Sequence, residues 1–159
     1  PAPFAAWGFR ESAVSDPAQC ATLGAPPVEP ATARGWIASG PGGIVYAVVA
    51  NATPQAAPDP AVVAACGQWT VTSGHTTGTV TGLPGPVIVA AETVGMSTAA
   101  TTVVEGGTET RSHAETFVAY LDEYVCFVAV VTDPGSPQTA LGPGFASDLL
   151  AETVSTLRG

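Results

Sequence analysis

This chain has two histidines, each close to a serine, that could take part in catalysis. His75 lies two residues after Ser73 in a Ser-Gly-His turn, and His113 directly follows Ser112. A serine nucleophile needs a histidine base and an orienting acid within hydrogen-bond reach, and Asp122 could supply that acid for the Ser112–His113 pair. No Gly-x-Ser-x-Gly motif marks a nucleophile elbow. We therefore expect His75 to be an exposed turn residue and His113 to pair across strands with a carboxylate, with no catalytic triad.

Paired carboxylates suggest a second chemistry, the acid–base hydrolysis of glycosides. Glu105 and Glu109 flank a Gly-Gly turn, and Asp122 and Glu123 are adjacent. Carboxylates at turn tips stay solvated, which leaves their acidity ordinary. We therefore predict that the protein is not an enzyme, with a hydrolase as a remote alternative.

The three cysteines differ in their surroundings. Cys126 lies in an apolar run, Cys20 in a polar segment, and Cys66 at the end of an Ala/Val-rich segment. We expect a Cys20–Cys66 disulfide, worth about 4 kcal/mol by loop-closure entropy, and a buried free thiol at Cys126. Three reduced cysteines in a cytosolic protein are the alternative. No Cys-x-x-Cys motif or Cys/His cluster indicates a metal site, and no motif indicates a cofactor.

Large apolar side chains are the best functional lead, because a pocket for an acyl chain or small apolar molecule needs apolar walls and few charges. Ordinary core and edge packing is the alternative for all of them. The candidate pocket residues are Trp36, Tyr46, Trp69, Met96, Phe145 and Leu149.

The composition of the 159 residues excludes some partners. The chain has four Lys and Arg residues and 13 Asp and Glu residues, which gives a formal net charge of -9. Only 11% of its residues are charged. Such a chain lacks the clustered cations that bind nucleic acid or anionic lipid headgroups. The longest strongly apolar stretch, Tyr124–Val131, is shorter than the ~20 residues that span a bilayer. Hydrophobic residues make up 46% of the chain, enough for the core of one domain.

Turn signals and apolar periodicity divide the chain into elements. The predicted elements are a short helix over residues 10–23 that is interrupted at Pro17, a hairpin of Arg34–Ser39 with Ile44–Asn51, a helix over Asp59–Ala65, a hairpin of Trp69–Thr72 with Thr76–Thr81, a meander of Thr93–Glu105, Thr108–Leu121 and Tyr124–Thr132, and a helix over Phe145–Arg158.

These elements predict an α+β fold, a two-layer sandwich in which an amphipathic C-terminal helix covers an antiparallel sheet of hairpins and a three-stranded meander. We expect a single domain over residues 10–159 and an N-terminal arm over residues 1–9, which docks through aromatic side chains. The face of the last helix that should meet the sheet carries Phe145, Leu149, Leu150, Val154 and Leu157.

Several segments together resemble small secreted lipoproteins of mycobacteria, which are largely domains of unknown function. The resemblance covers most of residues 10–159 and extends, more distantly, to the extracellular sensor domain of the mycobacterial kinase PknH. Lysine-free sequence rich in Ala, Gly, Pro, Thr and Val is also typical of a high-GC genome. The segments that carry the resemblance are Pro17–Cys20, Cys66–Val71, Phe117–Val125, Val130–Ser136 and Leu157–Gly159.

The resemblance implies an exported domain of the cell envelope or extracellular space, tethered in its precursor by an acylated cysteine upstream of this sequence. The PknH-type domain has a cleft and two disulfides, whereas three cysteines can close only one. We expect a non-enzymatic domain that binds an apolar or envelope-derived small molecule. The alternative is an interaction or structural module that contacts an envelope protein.

Overall fold

The computed structural model describes residues 2–135, 141–142 and 144–159. Its strands are β1 (Val14–Asp16), β2 (Arg34–Gly40), β3 (Gly43–Asn51), β4 (Gln68–Ser73), β5 (Thr76–Leu83), β6 (Glu92–Val103), β7 (Glu109–Tyr120) and β8 (Tyr124–Thr132). The α-helices are α1 (Pro3–Ala6), α2 (Ala21–Gly24), α3 (Pro60–Ala65) and α4 (Phe145–Leu157), and two 3-10 turns span Ala18–Cys20 and Pro30–Thr32.

All eight strands form one antiparallel sheet, in the order β1-β4-β5-β6-β7-β8-β3-β2. The two predicted hairpins and the predicted meander are present, with ends close to those expected from turn residues. The five-residue turn between β6 and β7 contains Gly106 and Gly107, whose φ of 88° and 82° is a left-handed conformation that glycine adopts without strain. The broad α+β prediction is therefore confirmed.

The predicted helix over residues 10–23 is wrong in its first half. Val14–Asp16 forms β1 and pairs with β4, placing Val14 opposite Thr72. Asp16 precedes Pro17, and a residue before proline is biased toward extended backbone. Helical structure begins only after this proline, with the 3-10 turn Ala18–Cys20 and then α2.

The N-terminal segment packs on one face of the sheet. Phe4, Trp7 and Phe9 are buried there beside Trp69, with edge-on or tilted ring contacts between them. The indole Nε1 of Trp7 donates a 2.8 Å hydrogen bond to Thr116 Oγ1 in the sheet. The predicted docking of these aromatic side chains is thus observed, and the boundary between an arm and a domain at residue 10 stays a prediction.

Helix α4 packs on the opposite face, against β7 and β8. Its buried residues are Ala146, Leu150 and Val154, whereas Phe145 and Leu157 are each 39% exposed. The helix was predicted within one residue, but its buried stripe is rotated from the expected one. Helix α4 thus covers one face of the sheet, as expected, whereas the N-terminal segment packs on the other face, and the two-layer arrangement is not confirmed.

The disulfide predicted between Cys20 and Cys66 is present. It joins the 3-10 turn that precedes α2 to the residue between α3 and β4. Cys126 is a buried free thiol on β8, as its apolar neighbours indicated.

Candidate functional site

The six predicted pocket residues do not meet in one place. Trp69 and Met96 are buried on the face that carries the N-terminal segment, and Tyr46 packs against the edge of the same hydrophobic cluster, on strand β3. Phe145 and Leu149 belong to α4 on the other face. Trp36 lies on the outermost strand β2 and is 50% exposed. Residues from two faces and an edge cannot line a single cavity between the sheet and α4.

His75 is an exposed turn residue and His113 pairs across strands, both as expected, but the partner of His113 is a serine and not a carboxylate. His75 is exposed in the turn between β4 and β5, and Ser73 Oγ accepts a hydrogen bond from the Arg10 backbone N–H. His113 Nε2 on β7 lies 2.9 Å from the Oγ of Ser97 on β6. The hydrogen bonds of the described residues include no carboxylate on His113. This serine–histidine pair therefore lacks the acid that completes a triad.

An open cleft of about 800 Å³ lies at one end of the sheet, and we call it the Tyr120 cleft. Its size lies within the range of small-molecule sites, but its walls are more polar than is usual for them. Its lining residues are Glu29, Asn51, Ala52, Thr53, Pro54, Gln55, Ala56, Ala57, Ala90, Ala91, Glu92, Tyr120, Leu121, Asp122, Glu123 and Tyr124.

Strand register brings the cleft residues together. Glu92 at the start of β6 is paired with Tyr120 at the end of β7, and Asn51 at the end of β3 is paired with Tyr124 at the start of β8. In an antiparallel sheet, each strand ends beside the start of its neighbour, so these residues lie close together although they are distant in sequence. The facing wall, residues 52–57, is held by a 2.9 Å hydrogen bond from Ala52 N to the Glu123 carbonyl.

Two residues of the cleft wall have unusual backbone conformations. Gln55 and Ala90 have φ of 59° and 56°, and within the described ranges they are the non-glycine residues with positive φ. Such conformations are uncommon and tend to gather at functional sites. The Arg158 guanidinium donates hydrogen bonds to the Val89 and Ala90 carbonyls and thereby holds one of these segments.

All of the charged side chains that line the cleft are acidic. Its lining includes four carboxylate residues, Glu29, Glu92, Asp122 and Glu123, and no Arg, Lys or His. Burial and, secondarily, the charge of Glu92 raise the pKa of Tyr120 well above its usual value, so this hydroxyl stays protonated. Within the described residues, His, Cys, Asp and Glu form no group of three suited to a metal ion.

Sequence reasoning identified only part of this site. Asp122 and Glu123 were singled out as a carboxylate pair, and they do lie at a turn, but they also form one wall of the cleft. Glu29, Glu92 and Tyr120 were missed, since they are distant in sequence and carry no motif. Only the pairing of β6, β7, β8 and β3 brings them into one place.

A family model for a domain of unknown function, DUF5642, matches residues 1–158. The chain belongs to the DUF5642 family. Among solved structures, this DUF5642 domain is similar to an uncharacterised protein from Mycobacterium smegmatis, an Rv0999 ortholog. The TM-score is 0.69 with 20% identity, and the alignment covers 99% of this chain and 83% of that one. No curated protein is significantly similar to the chain.

These findings support part of the resemblance noted in the sequence. A family of unknown function and a mycobacterial protein with the same fold agree with the resemblance to mycobacterial domains of unknown function. At 20% identity the M. smegmatis structure supports the fold alone. A relationship to the PknH sensor domain is not among these findings and stays a prediction.

Proposed function

We propose that this DUF5642 domain is a non-enzymatic, exported cell-envelope protein that binds an envelope-derived ligand in the Tyr120 cleft. The observation that carries the proposal is the cleft itself, whose volume of about 800 Å³ suits a small molecule. Tyr120, Leu121 and Tyr124 contribute apolar and aromatic surface, and the carboxylates contribute polar surface. This lining favours a ligand with polar groups over the purely apolar molecule that composition suggested.

Export is supported by the Cys20–Cys66 disulfide, because disulfides persist in oxidising compartments and are rare in the cytosol. The described helices are all too short or too polar to cross a membrane. An acylated cysteine in the precursor, as the resemblance to secreted lipoproteins implies, would hold the domain at the membrane, and this anchor is part of the proposal.

A non-enzymatic role is supported by the arrangement of the reactive side chains. The Ser97–His113 pair lies outside the Tyr120 cleft and has no described carboxylate partner. Nucleic acid is a poor candidate for the ligand, because the net charge is -9 and phosphates would face carboxylates in the cleft.

Native mass spectrometry after incubation with a cell-envelope extract tests the proposal. We expect a bound species on the wild-type protein and its loss in Tyr124→Ala, since Tyr124 lines the cleft and is 39% exposed. Trp36→Ala is the matched control, because it removes an exposed aromatic ring outside the cleft and should leave binding unchanged. A wild-type protein that emerges with no bound species, or a Tyr124→Ala variant that binds normally, would reject the cleft as the site.

A second candidate function, an interaction module, is favoured by the outermost strand β2. All seven residues of β2 are exposed, including Trp36 at 50% and Ile37 at 62%. Free edges of natural sheets are usually protected by charges, prolines or bulges. Strand β2 has a single charge, Arg34 at its first residue, and no proline.

For this second function we propose that the partner of β2 is a second copy of the chain. Gly40 and Gly43 close a two-residue turn, so they form a hydrogen-bonded pair within the hairpin. Alternation along the strand then leaves the backbone groups of Gly35, Ile37 and Ser39 facing the free edge. An antiparallel pair of β2 strands related by a two-fold axis at Ile37 would match Gly35 with Ser39.

Charge supports self-pairing of this edge. The chain has no Asp or Glu between Glu29 and Asp59, although the whole molecule carries a net charge of -9. Two approaching edges therefore oppose no carboxylates, and their Arg34 side chains lie at opposite ends of the pair. Seven residues a side bury less than the roughly 1,200–2,000 Å² of a stable interface, so the dimer should be weak.

Sedimentation equilibrium over a range of concentrations tests this pairing. We expect reversible dimerisation of the wild type and a monomeric Ile37→Lys variant, because two lysines would meet at the two-fold axis. Ile44→Lys adds the same charge on β3, away from the edge, and should still dimerise. Pairing through β2 would be refuted if the wild type stayed monomeric at millimolar concentration. It would also be refuted if Ile37→Lys and Ile44→Lys weakened dimerisation equally.

A further inference from the structure

We propose that the Tyr120 cleft recognises an organic cation, a primary ammonium or guanidinium group, on its ligand. The inference rests on the proposed ligand-binding function and specifies the chemistry of the ligand. Two independent observations lead to it: the uncompensated carboxylates of the cleft and the hydroxyl of Tyr120.

The carboxylates of the cleft have no cationic partner in the described part of the chain. The salt bridge found there joins Arg111 to Glu109, near the start of β7, whereas the cleft lies at the end of that strand. Arg158 lines a neighbouring pocket together with Asp122 and Glu123, but its guanidinium is hydrogen-bonded to two backbone carbonyls. A cationic ligand would therefore form the ion pairs that Glu29, Glu92, Asp122 and Glu123 do not form with the described arginines.

Tyr120 supplies a hydrogen-bonding group that the fold leaves unused. The side chain is buried, with 5% exposure, and lines the cleft. No hydrogen bond to its hydroxyl occurs within the described residues, where the fully enclosed polar atoms without a partner are Ser15 Oγ, Trp69 Nε1 and Thr98 Oγ1. The Tyr120 hydroxyl is not among these enclosed atoms, and Tyr120 lines the cleft. A ligand N–H group bound in the cleft would replace water as the partner of this oxygen.

The neutral hydroxyl of Tyr120 can accept a hydrogen bond from a donor group on the ligand. Burial and the neighbouring Glu92 keep the phenol neutral, so its oxygen accepts a hydrogen bond from an ammonium or guanidinium. Tyr124 lines the same cleft with 39% of its surface exposed, and an aromatic ring attracts a cation placed over its face. A metal ion fits less well, because the described acidic and histidine side chains form no chelating group of three.

An NMR titration of the 15N-labelled protein at low salt tests the inference with four probes. Spermidine represents a small polyamine, capped tetralysine represents a basic polypeptide segment, the same peptide with acetylated side chains is the neutral control, and calcium chloride tests for a metal site. We expect saturable shifts of the amides of residues 120–124 with the ammonium probes only. The tighter of the two ammonium probes indicates whether the natural ligand is a small amine or a polypeptide.

Variants separate recognition in the cleft from attraction to the acidic molecule as a whole. Tyr120→Phe should weaken the ammonium probe about tenfold, because a hydrogen bond to a charged group is lost. Glu92→Gln should weaken it about two- to fivefold, as expected for a solvent-accessible ion pair. Glu109→Gln changes the net charge equally but lies outside the cleft, so its affinity should match the wild type. Should Tyr120→Phe not fold, the comparison of Glu92→Gln with Glu109→Gln remains decisive.

The outcomes distinguish this inference from the proposed function. Equal binding of the acetylated peptide, equal weakening by Glu92→Gln and Glu109→Gln, or saturable calcium binding at residues 120–124 would overturn recognition of an organic cation. If ammonium probes leave the cleft unchanged while an envelope extract still yields a bound species there, the inference fails and the function stands. If neither the probes nor the extract bind the cleft, both fail.

Discussion

Cys126 shows how an ordinary side chain acquires unusual chemistry from its position. The residue lies on β8, opposite Ala119 and Val49 on the adjacent strands, and is fully buried. Burial raises the pKa of its thiol to about 12, since a thiolate there would lose its hydration. The same desolvation makes the thiol inert in the folded protein.

This raised pKa predicts a loss of stability at alkaline pH. The unfolded thiol, with a pKa near 9, releases its proton before the folded one, so the free energy of unfolding falls as pH rises from about 9 to 12. The slope from this group approaches 1.4 kcal/mol per pH unit. Urea unfolding between pH 8 and 11 should show a shallower decline for Cys126→Ala than for the wild type.

Tyr120 contributes a similar decline at still higher pH in both proteins, so the difference between them isolates the thiol. Identical slopes for the two proteins would contradict the burial of Cys126. Below pH 9 the thiol is neutral in both states, and no pH dependence is expected from it.

At the scale of elements, α4 shows what periodicity can and cannot determine. A 3.6-residue period predicted the helix and placed Leu150 and Val154 inward, as observed. It also placed Phe145 and Leu157 inward, where the structure leaves them 39% exposed, and it omitted Ala146, which is buried. A small residue such as Ala146 allows the helix to approach the sheet closely. Hydrophobicity alone does not identify such a residue as part of the contact.

The buried stripe of α4 gives a direct prediction. Leu150→Ala should lower the free energy of unfolding by about 2–5 kcal/mol, because the side chain is fully buried against the sheet. Leu157→Ala removes the same atoms from a partly exposed position and should cost clearly less. Chemical denaturation of both variants measures the difference, and similar losses would show that α4 packs through the stripe expected from the sequence.

At the scale of the whole molecule, the disulfide links the two regions that cover one face of the sheet. Cys20 and Cys66 are separated by 46 residues and are both buried in the cluster formed with the N-terminal aromatic residues. The cross-link therefore restricts a large part of the unfolded chain. Loop-closure entropy for this separation corresponds to about 4 kcal/mol.

We expect the double variant Cys20→Ala/Cys66→Ala to lose about 2–5 kcal/mol in its free energy of unfolding. The measurement is guanidinium unfolding at pH 7, with Cys126→Ala as the control for removal of a cysteine that is not cross-linked. Alkylation of the unfolded wild type without reductant should modify one thiol. Modification of three thiols would show that the disulfide does not form.

Local chemistry made much of the architecture predictable. The Gly-Pro-Gly-Gly turn predicted the β2–β3 hairpin, alternating side chains predicted β6, β7 and β8, and Asp59 with Pro60 predicted the start of α3, where Asp59 accepts a hydrogen bond from Ala61 N. Each of these features depends on residues within a few positions of one another. Strand β1 was missed because three residues carry too little periodicity, and only pairing with β4 stabilises them as a strand.

The sequence by itself determined every strand except β1, most of the helices, the cysteine pair and the acidic, lysine-free character of the molecule. Tertiary structure alone decided which face each helix covers, that Ser97 and not Ser112 meets His113, and that Glu29, Glu92 and Tyr120 share a cleft with Asp122 and Glu123. The physical reason is the distance along the sequence between the residues that interact. Turns and periodic faces are set by neighbouring residues, whereas a cleft is made by strand register between residues that lie up to about a hundred positions apart.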